Sequence, residues 1–279
     1  MERSHVSRSA SRPVLICLFA VAGVAWHVAA KTSAQTAPEP LPVHVNRVED
    51  VLVPVASEVF KTLDKFKDSN WRAVQRQEVA TARPRGDQAS LALSLGAVIA
   101  EGCIAVAAED ANEIKNLGRS LLTLARGLGV EQWALKRSRS IVDHAESGDW
   151  PAVREEWDQV LPDVHEGMKE LKSQELAHLV SLGGWVRGSE ALSVLVSQRY
   201  SPEDAELLRQ PGLLSHFEKQ LAAGAKDDPV LARSISGLQR YRGMFEAWSS
   251  PLSPATVKEI GAVAAELRGS FTGNSGVSR

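Results

Sequence analysis

Cysteine is almost absent from this chain: there are two in 279 residues, Cys17 and Cys103. Cys17 lies in an apolar run from Val14 to Trp26, which follows Arg3, Arg8 and Arg12 and closes on His27, Val28, Ala29 and Ala30. A basic start, a short apolar stretch and small residues at positions 28 and 30 describe an export signal cut after Ala30. Cleavage would remove Cys17 and leave Cys103 alone. An internal disulfide is then impossible, and stability has to come from a packed core. Lipid attachment at Cys17 is disfavoured, because Ile16 stands where a small residue is needed. The rival reading is an uncleaved anchor over residues 13–30, which would be the chain's one link to a membrane.

Reactive signatures are also missing. There is no Gly-x-Ser-x-Gly, no phosphate-binding glycine loop, no Cys-x-x-Cys and no haem-attachment sequence. Charge of one sign is missing as well. Residues 1–30 carry three basic residues and one acidic residue, so the remainder carries a net −4 against −2 for the whole chain. That balance gives no electrostatic reason to expect nucleic acid as a partner. Aromatics make up 5% of the residues. The expectation is a non-enzymatic protein without a cofactor, working in the periplasm or outside the cell, with another envelope protein as partner.

What is present is helical. Ala, Leu and Val are the commonest residue types, and Glu and Arg are abundant. Residues 31–42 read as a flexible linker, 43–268 as one all-α domain (divisible into two helical subdomains), and 269–279 as a disordered tail. Residues 51–55, Val-Leu-Val-Pro-Val, are the one strand-like pattern, limited by Pro54 to an edge or lead-in. Helix starts are written as a cap followed by proline at Ser201-Pro202, Asp228-Pro229 and Ser253-Pro254. Pro162 should kink or divide the stretch that Asp149 opens. Asn70-Trp71 and Asp149-Trp150 look like one helix-start solution used twice. The count is eight to ten helices, arranged as a multi-helix bundle or a helical-hairpin array.

Two long helices carry stripes of small residues. Ala92, Gly96, Ala100, Cys103 and Ala107 fall on one line at 100° per residue, and Ala177, Ser181, Gly184, Gly188 and Ala191 on another. Such faces let helix backbones come close. They are expected to pack at the centre of the domain, and the two faces are candidates to meet each other.

Candidate chemistry is thin. Glu101, in the middle of the first apolar helix, reads as a partly solvated or Arg-paired carboxylate, and Cys103 as a buried filler. Glu175 and His178 have the spacing of two metal ligands on one helix turn, but the second such motif of a di-metal bundle is absent. Residues 165–169, His-Glu-Gly-Met-Lys, begin like a zinc-protease helix without its second His and read as a solvated face. The tripeptide at 85–87, Arg-Gly-Asp, carries no functional weight.

Residues 95–102 (LGAVIAEG), 107–110 (AAED), 117–122 (LGRSLL) and 182–188 (LGGWVRG) resemble a group of exported, all-helical bacterial proteins with no assigned activity. The likeness runs from Ser90 to Tyr200. It implies export and helices, and transfers no catalytic residue. The polar residues in those strings, Glu101, Glu109, Asp110 and Arg187, are the candidate ligand-binding residues. The alternative to a scaffold role is a bundle that binds a metal or small molecule near Glu101, His178 and Arg187.

Overall fold

The computed structural model describes residues 45–48, 51–54, 56–81, 87–222, 224, 227–247 and 251–273. The expected export signal, the expected linker and residues 274–279 lie outside the described residues, as do Arg85 and Gly86. The fold is all-α. Among the described residues there are ten helices of nine residues or more.

One small addition differs from the expected lead-in. Strands β1 (Val45–Val48) and β2 (Val51–Pro54) pair antiparallel, with Pro54 opposite Val45 at the end of the ladder. Proline is tolerated there because the end of a ladder need not supply a donor. β2 lies against the long helix α9 (Gln174–Gln198).

The chain continues through α1 (Ala56–Asp64), a 3-10 turn (Trp71–Ala73) and α2 (Gln77–Ala80). The apolar helix α3 (Gln88–Ala107) begins where the Asp87 carboxylate accepts from the Ser90 N–H at 2.6 Å. α3 is long and apolar enough to cross a membrane, yet 89% of its apolar window is buried inside the fold. The amphipathic α4 (Ala111–Gly127), α5 (Glu131–Leu135) and α6 (Ser138–Ser147) follow, the last closed by Gly148 in the left-handed region. Asp149 caps α7 (Trp150–Asp158), and α8 (Val160–Glu170) begins after a break at Gln159. Pro162 lies in the first turn of α8, so the division comes just ahead of it, where its missing N–H leaves no bond unmade.

After α9, Ser201 caps only a five-residue α10 (Pro202–Glu206), and Pro211 starts α11 (Pro211–Leu221). α12 (Pro229–Ala247) and α13 (Pro254–Thr272) complete the chain. α13 corrects the expected tail. It continues to Thr272 and buries Phe271, so the domain extends past residue 268.

At the centre α3 packs on α9. α4 lies along α3, and α13 packs on α9 and reaches α3. A Cβ on Gly96 would overlap the Val180 carbonyl, and one on Gly183 would overlap the Leu93 carbonyl. The two small-residue faces therefore meet, with a shift in register. Gly183 makes the tight contact, whereas a Cβ on Gly184 would stand 3.4 Å from the Gly96 oxygen. Gly188, counted in the same stripe, is exposed and touches nothing.

These contacts separate three substitutions. Gly96→Ala and Gly183→Ala should each destabilise by about 1–3 kcal/mol or more, because the new methyl meets backbone that cannot yield. Gly184→Ala should stay within about 1 kcal/mol of wild type, since alanine's better helix propensity offsets an ordinary contact. Urea denaturation of the three variants checks this, and equal losses at Gly183 and Gly184 would contradict it.

Candidate functional site

Glu101 and Arg187 are wholly buried. Arg187 Nε donates to Glu101 Oε2 at 2.5 Å, and the Arg76 N–H donates to Glu101 Oε1 at 2.6 Å. Arg187 Nη2 donates to the Val74 carbonyl at 2.7 Å. Its Nη1 has no hydrogen-bond acceptor and lies 3.6 Å from Glu190 Oε2, one turn along α9.

Glu190 extends the network. Arg268 of α13 donates Nε to its Oε2 at 2.8 Å, and Arg76 donates Nε to its Oε1 at 3.1 Å. Arg268 Nη2 also reaches Glu78 of α2 at 3.2 Å. Burial would raise the Glu190 pKa, but Arg187, Arg268 and Arg76 outweigh it and hold the carboxyl below its usual range. Three arginines and three glutamates thus tie residues 71–80 down onto α3, α9 and α13.

Of the expected ligand-binding residues, the fold brings Glu101 and Arg187 together and gives them to each other. Neither lines a described cavity. The partly solvated reading of Glu101 gives way to the Arg-paired one. Glu109 is exposed at the turn after α3, with φ 50°. Asp110 caps α4 by accepting from the Glu113 N–H at 3.1 Å. Both lie in the turn between α3 and α4.

Glu175 is exposed, and His178 instead packs its ring 5.4 Å from that of His216 on α11. Among the described residues no three His, Cys, Asp or Glu side chains converge as a metal set. Cys103 is buried, which pushes its thiol up to about 12 and away from nucleophilic use. The segment 165–169 is not a solvated face. Met168 is fully buried and Gly167 lies under the Trp133 ring.

Sequence reasoning missed Arg76, Glu78, Glu190 and Arg268. Glu190 had one available signal, its position three residues after Arg187. It also missed a groove between α4 and α6, a cavity of about 430 Å³. Its floor includes Ile114, Leu121, Ile141 and Trp157, all buried, and its edge carries Lys115, Arg119, Arg139 and Asp143. The Trp157 indole N–H donates to the Ile99 carbonyl at 3.0 Å, and its ring occupies the space that a Cβ on Gly102 would need.

No family model matches the chain, and neither a curated protein nor a solved structure matches it.

Breaking the central pair from one side should be severe. Arg187→Met or Glu101→Leu alone should cost about 3–5 kcal/mol, because each strands a buried charge. The double variant should recover most of that loss, giving a coupling well above experimental error in a double-mutant cycle. Additive losses would mean that the two charges are not partners.

His165 supplies a pH test. It is part-buried, with Nε2 3.4 Å from Ser181 Oγ. Burial, and then His178, push its pKa down from 6.5 to about 4. Stability from the neutral ring is complete above pH 6.5 and is lost as pH falls toward 4, amounting to about 2–3 kcal/mol. Asp158 works in the opposite sense, since burial raises its carboxyl to about 6. The difference between wild type and His165→Asn isolates the histidine. That difference should shrink steadily as pH falls from 6.5 to 4, and a pH-independent difference would refute it.

Proposed function

We infer that this chain is a non-enzymatic binding protein of the cell envelope, exported by its N-terminal segment, with the α4–α6 groove as its recognition surface. The observation that carries this reading is a contrast. Glu101, Glu190, Arg187 and Arg268 in the core are closed into internal ion pairs, while the groove between α4 and α6 is lined mainly by apolar side chains beneath a charged edge. Its volume of about 430 Å³ is that of a small-molecule site, such sites being about 300–1,000 Å³ and mainly apolar. Asp143 is the one carboxylate lining it, and no His or Cys is among the lining residues, an arrangement suited to binding rather than to proton transfer.

Gly118 supports the same reading. It sits within α4 at the groove, and a Cβ there would meet nothing within 4 Å. Mid-helix glycine costs about 1 kcal/mol relative to alanine, and no close approach requires it at this position. It keeps the opening clear. The order basic, apolar, small in residues 1–30 supports export. The ligand is placed in the groove and not at Glu101 and Arg187.

One experiment addresses both parts. The full chain, produced with its N-terminus intact in a bacterial host, should be recovered from the periplasm beginning at Lys31. The recovered protein should bind the neutral fluorescent probe phenylnaphthylamine at one site per chain. Gly118→Leu should fill the groove and abolish probe binding without lowering Tm. Retention of Met1 would make the protein a tethered one, and probe binding that survives Gly118→Leu would place the recognition surface elsewhere.

A further inference from the structure

The charged edge of the groove sets the sign of what it takes, and this step rests on the groove being the recognition surface. Lys115, Arg119 and Arg139 line it against a single carboxylate, Asp143. The three cations differ in how far they are committed. Lys115 Nζ lies 2.6 Å from Glu146 on α6. Arg139 reaches Asp143, one turn along the same helix, at 3.7 Å. Arg119 instead donates from Nη2 to the neutral amide oxygen of Asn116 at 2.5 Å, and Asn116 in turn donates to Glu113. Among the described residues Arg119 has no carboxylate at ion-pair distance. Lys115 and Arg119 stand four residues apart on α4 and share a face, so the positive edge runs along the α4 side.

The floor is apolar along this edge. From Ile114 to Leu122 the α4 wall extends for about 12 Å at 1.5 Å per residue, the reach of a medium acyl chain rather than of a full lipid tail. We propose that the α4–α6 groove binds a medium-chain aliphatic carboxylate. Its chain lies on Ile114, Leu121, Leu122, Ile141 and Trp157, and its carboxylate meets the Arg119 guanidinium, with Lys115 one turn away. The planar fork of Arg119 matches a carboxylate and is already steadied by Asn116. Exposed ion pairs contribute little net energy, so the apolar floor provides the affinity and Arg119 the discrimination, roughly 1.5- to fivefold.

Isothermal titration of the full chain with sodium decanoate, below its micelle concentration and at low salt, tests this. Decanol and decyltrimethylammonium serve as neutral and cationic ligands of equal length. Decanoate should bind at one site, roughly 1.5- to fivefold tighter than decanol, with decyltrimethylammonium weakest. Arg119→Gln, an exposed change that spares the fold, should erase the preference for decanoate over decanol. Gly118→Leu should remove binding of all three.

Equal affinity for decanoate and decanol overturns the assignment of charge, as does a preference that survives Arg119→Gln. Either result leaves the groove standing as a neutral apolar site. If none of the three binds while phenylnaphthylamine still does, the carboxylate assignment fails alone. Failure of phenylnaphthylamine as well removes the groove reading itself.

Discussion

The backbones of α3 and α9 touch, and most other features of this fold follow from that contact. Packed helices usually stand about 8–10 Å apart, a distance set by the side chains between them. Gly96 and Gly183 remove those side chains at the crossing. The approach leaves no room for water and carries Glu101 and Arg187, five and four residues further along, into full burial. An isolated charge there would cost several kcal/mol. The arrangement survives because each charge meets the other, and because residues 74–76 supply a carbonyl to Arg187 and an N–H to Glu101. The segment before α3 is thus part of the core's electrostatics rather than a lead-in to it.

The same arrangement commits a cluster of six charged residues to one another. Catalytic acids are kept near neutrality by burial without enough compensation. Here compensation wins: Glu190 is buried yet held below its usual pKa by three arginines. Both oxygens of Glu101 accept hydrogen bonds, and Arg268 bridges α13 to α2 and α9. Each charge is committed to position. Such a network fixes which helix faces meet, because a slip by one turn would strand a charge among apolar side chains.

Local signals were legible in the sequence and relative placements were not. Prolines after Ser201, Asp228 and Ser253 each begin a helix, as their fixed φ and missing N–H require. The small stripes located the α3–α9 contact but favoured Gly184 over Gly183, because a wheel drawn at constant angle cannot resolve adjacent glycines at a crossing. Glu101 was visible as a charge in an apolar helix. Its partner lies 86 residues away, a separation that no periodicity encodes. The hairpin was hidden because Val45–Val48 has no alternating pattern of its own. The groove was hidden for a different reason. Its floor residues on α4 and α6 read as ordinary core positions, which they are, and the gap between the two helices is set by tertiary packing that no local pattern encodes.

Trp157 connects the two halves of this picture. One side of its ring forms groove floor, while the other fills the gap left by Gly102, next to Glu101. Its indole N–H is fixed on the Ile99 carbonyl. The floor is therefore anchored to α3, the helix held most firmly by the central contact. A ligand meeting that floor would order little that is not already ordered, which reduces the entropic cost of binding. The edge is built differently. Arg139 is 94% exposed, and the cations there are long side chains on the outer faces of α4 and α6. A rigid apolar base under an adaptable cationic edge separates the two tasks: the core sets how tightly the groove can hold an apolar chain, and the surface sets which charge that chain has to carry.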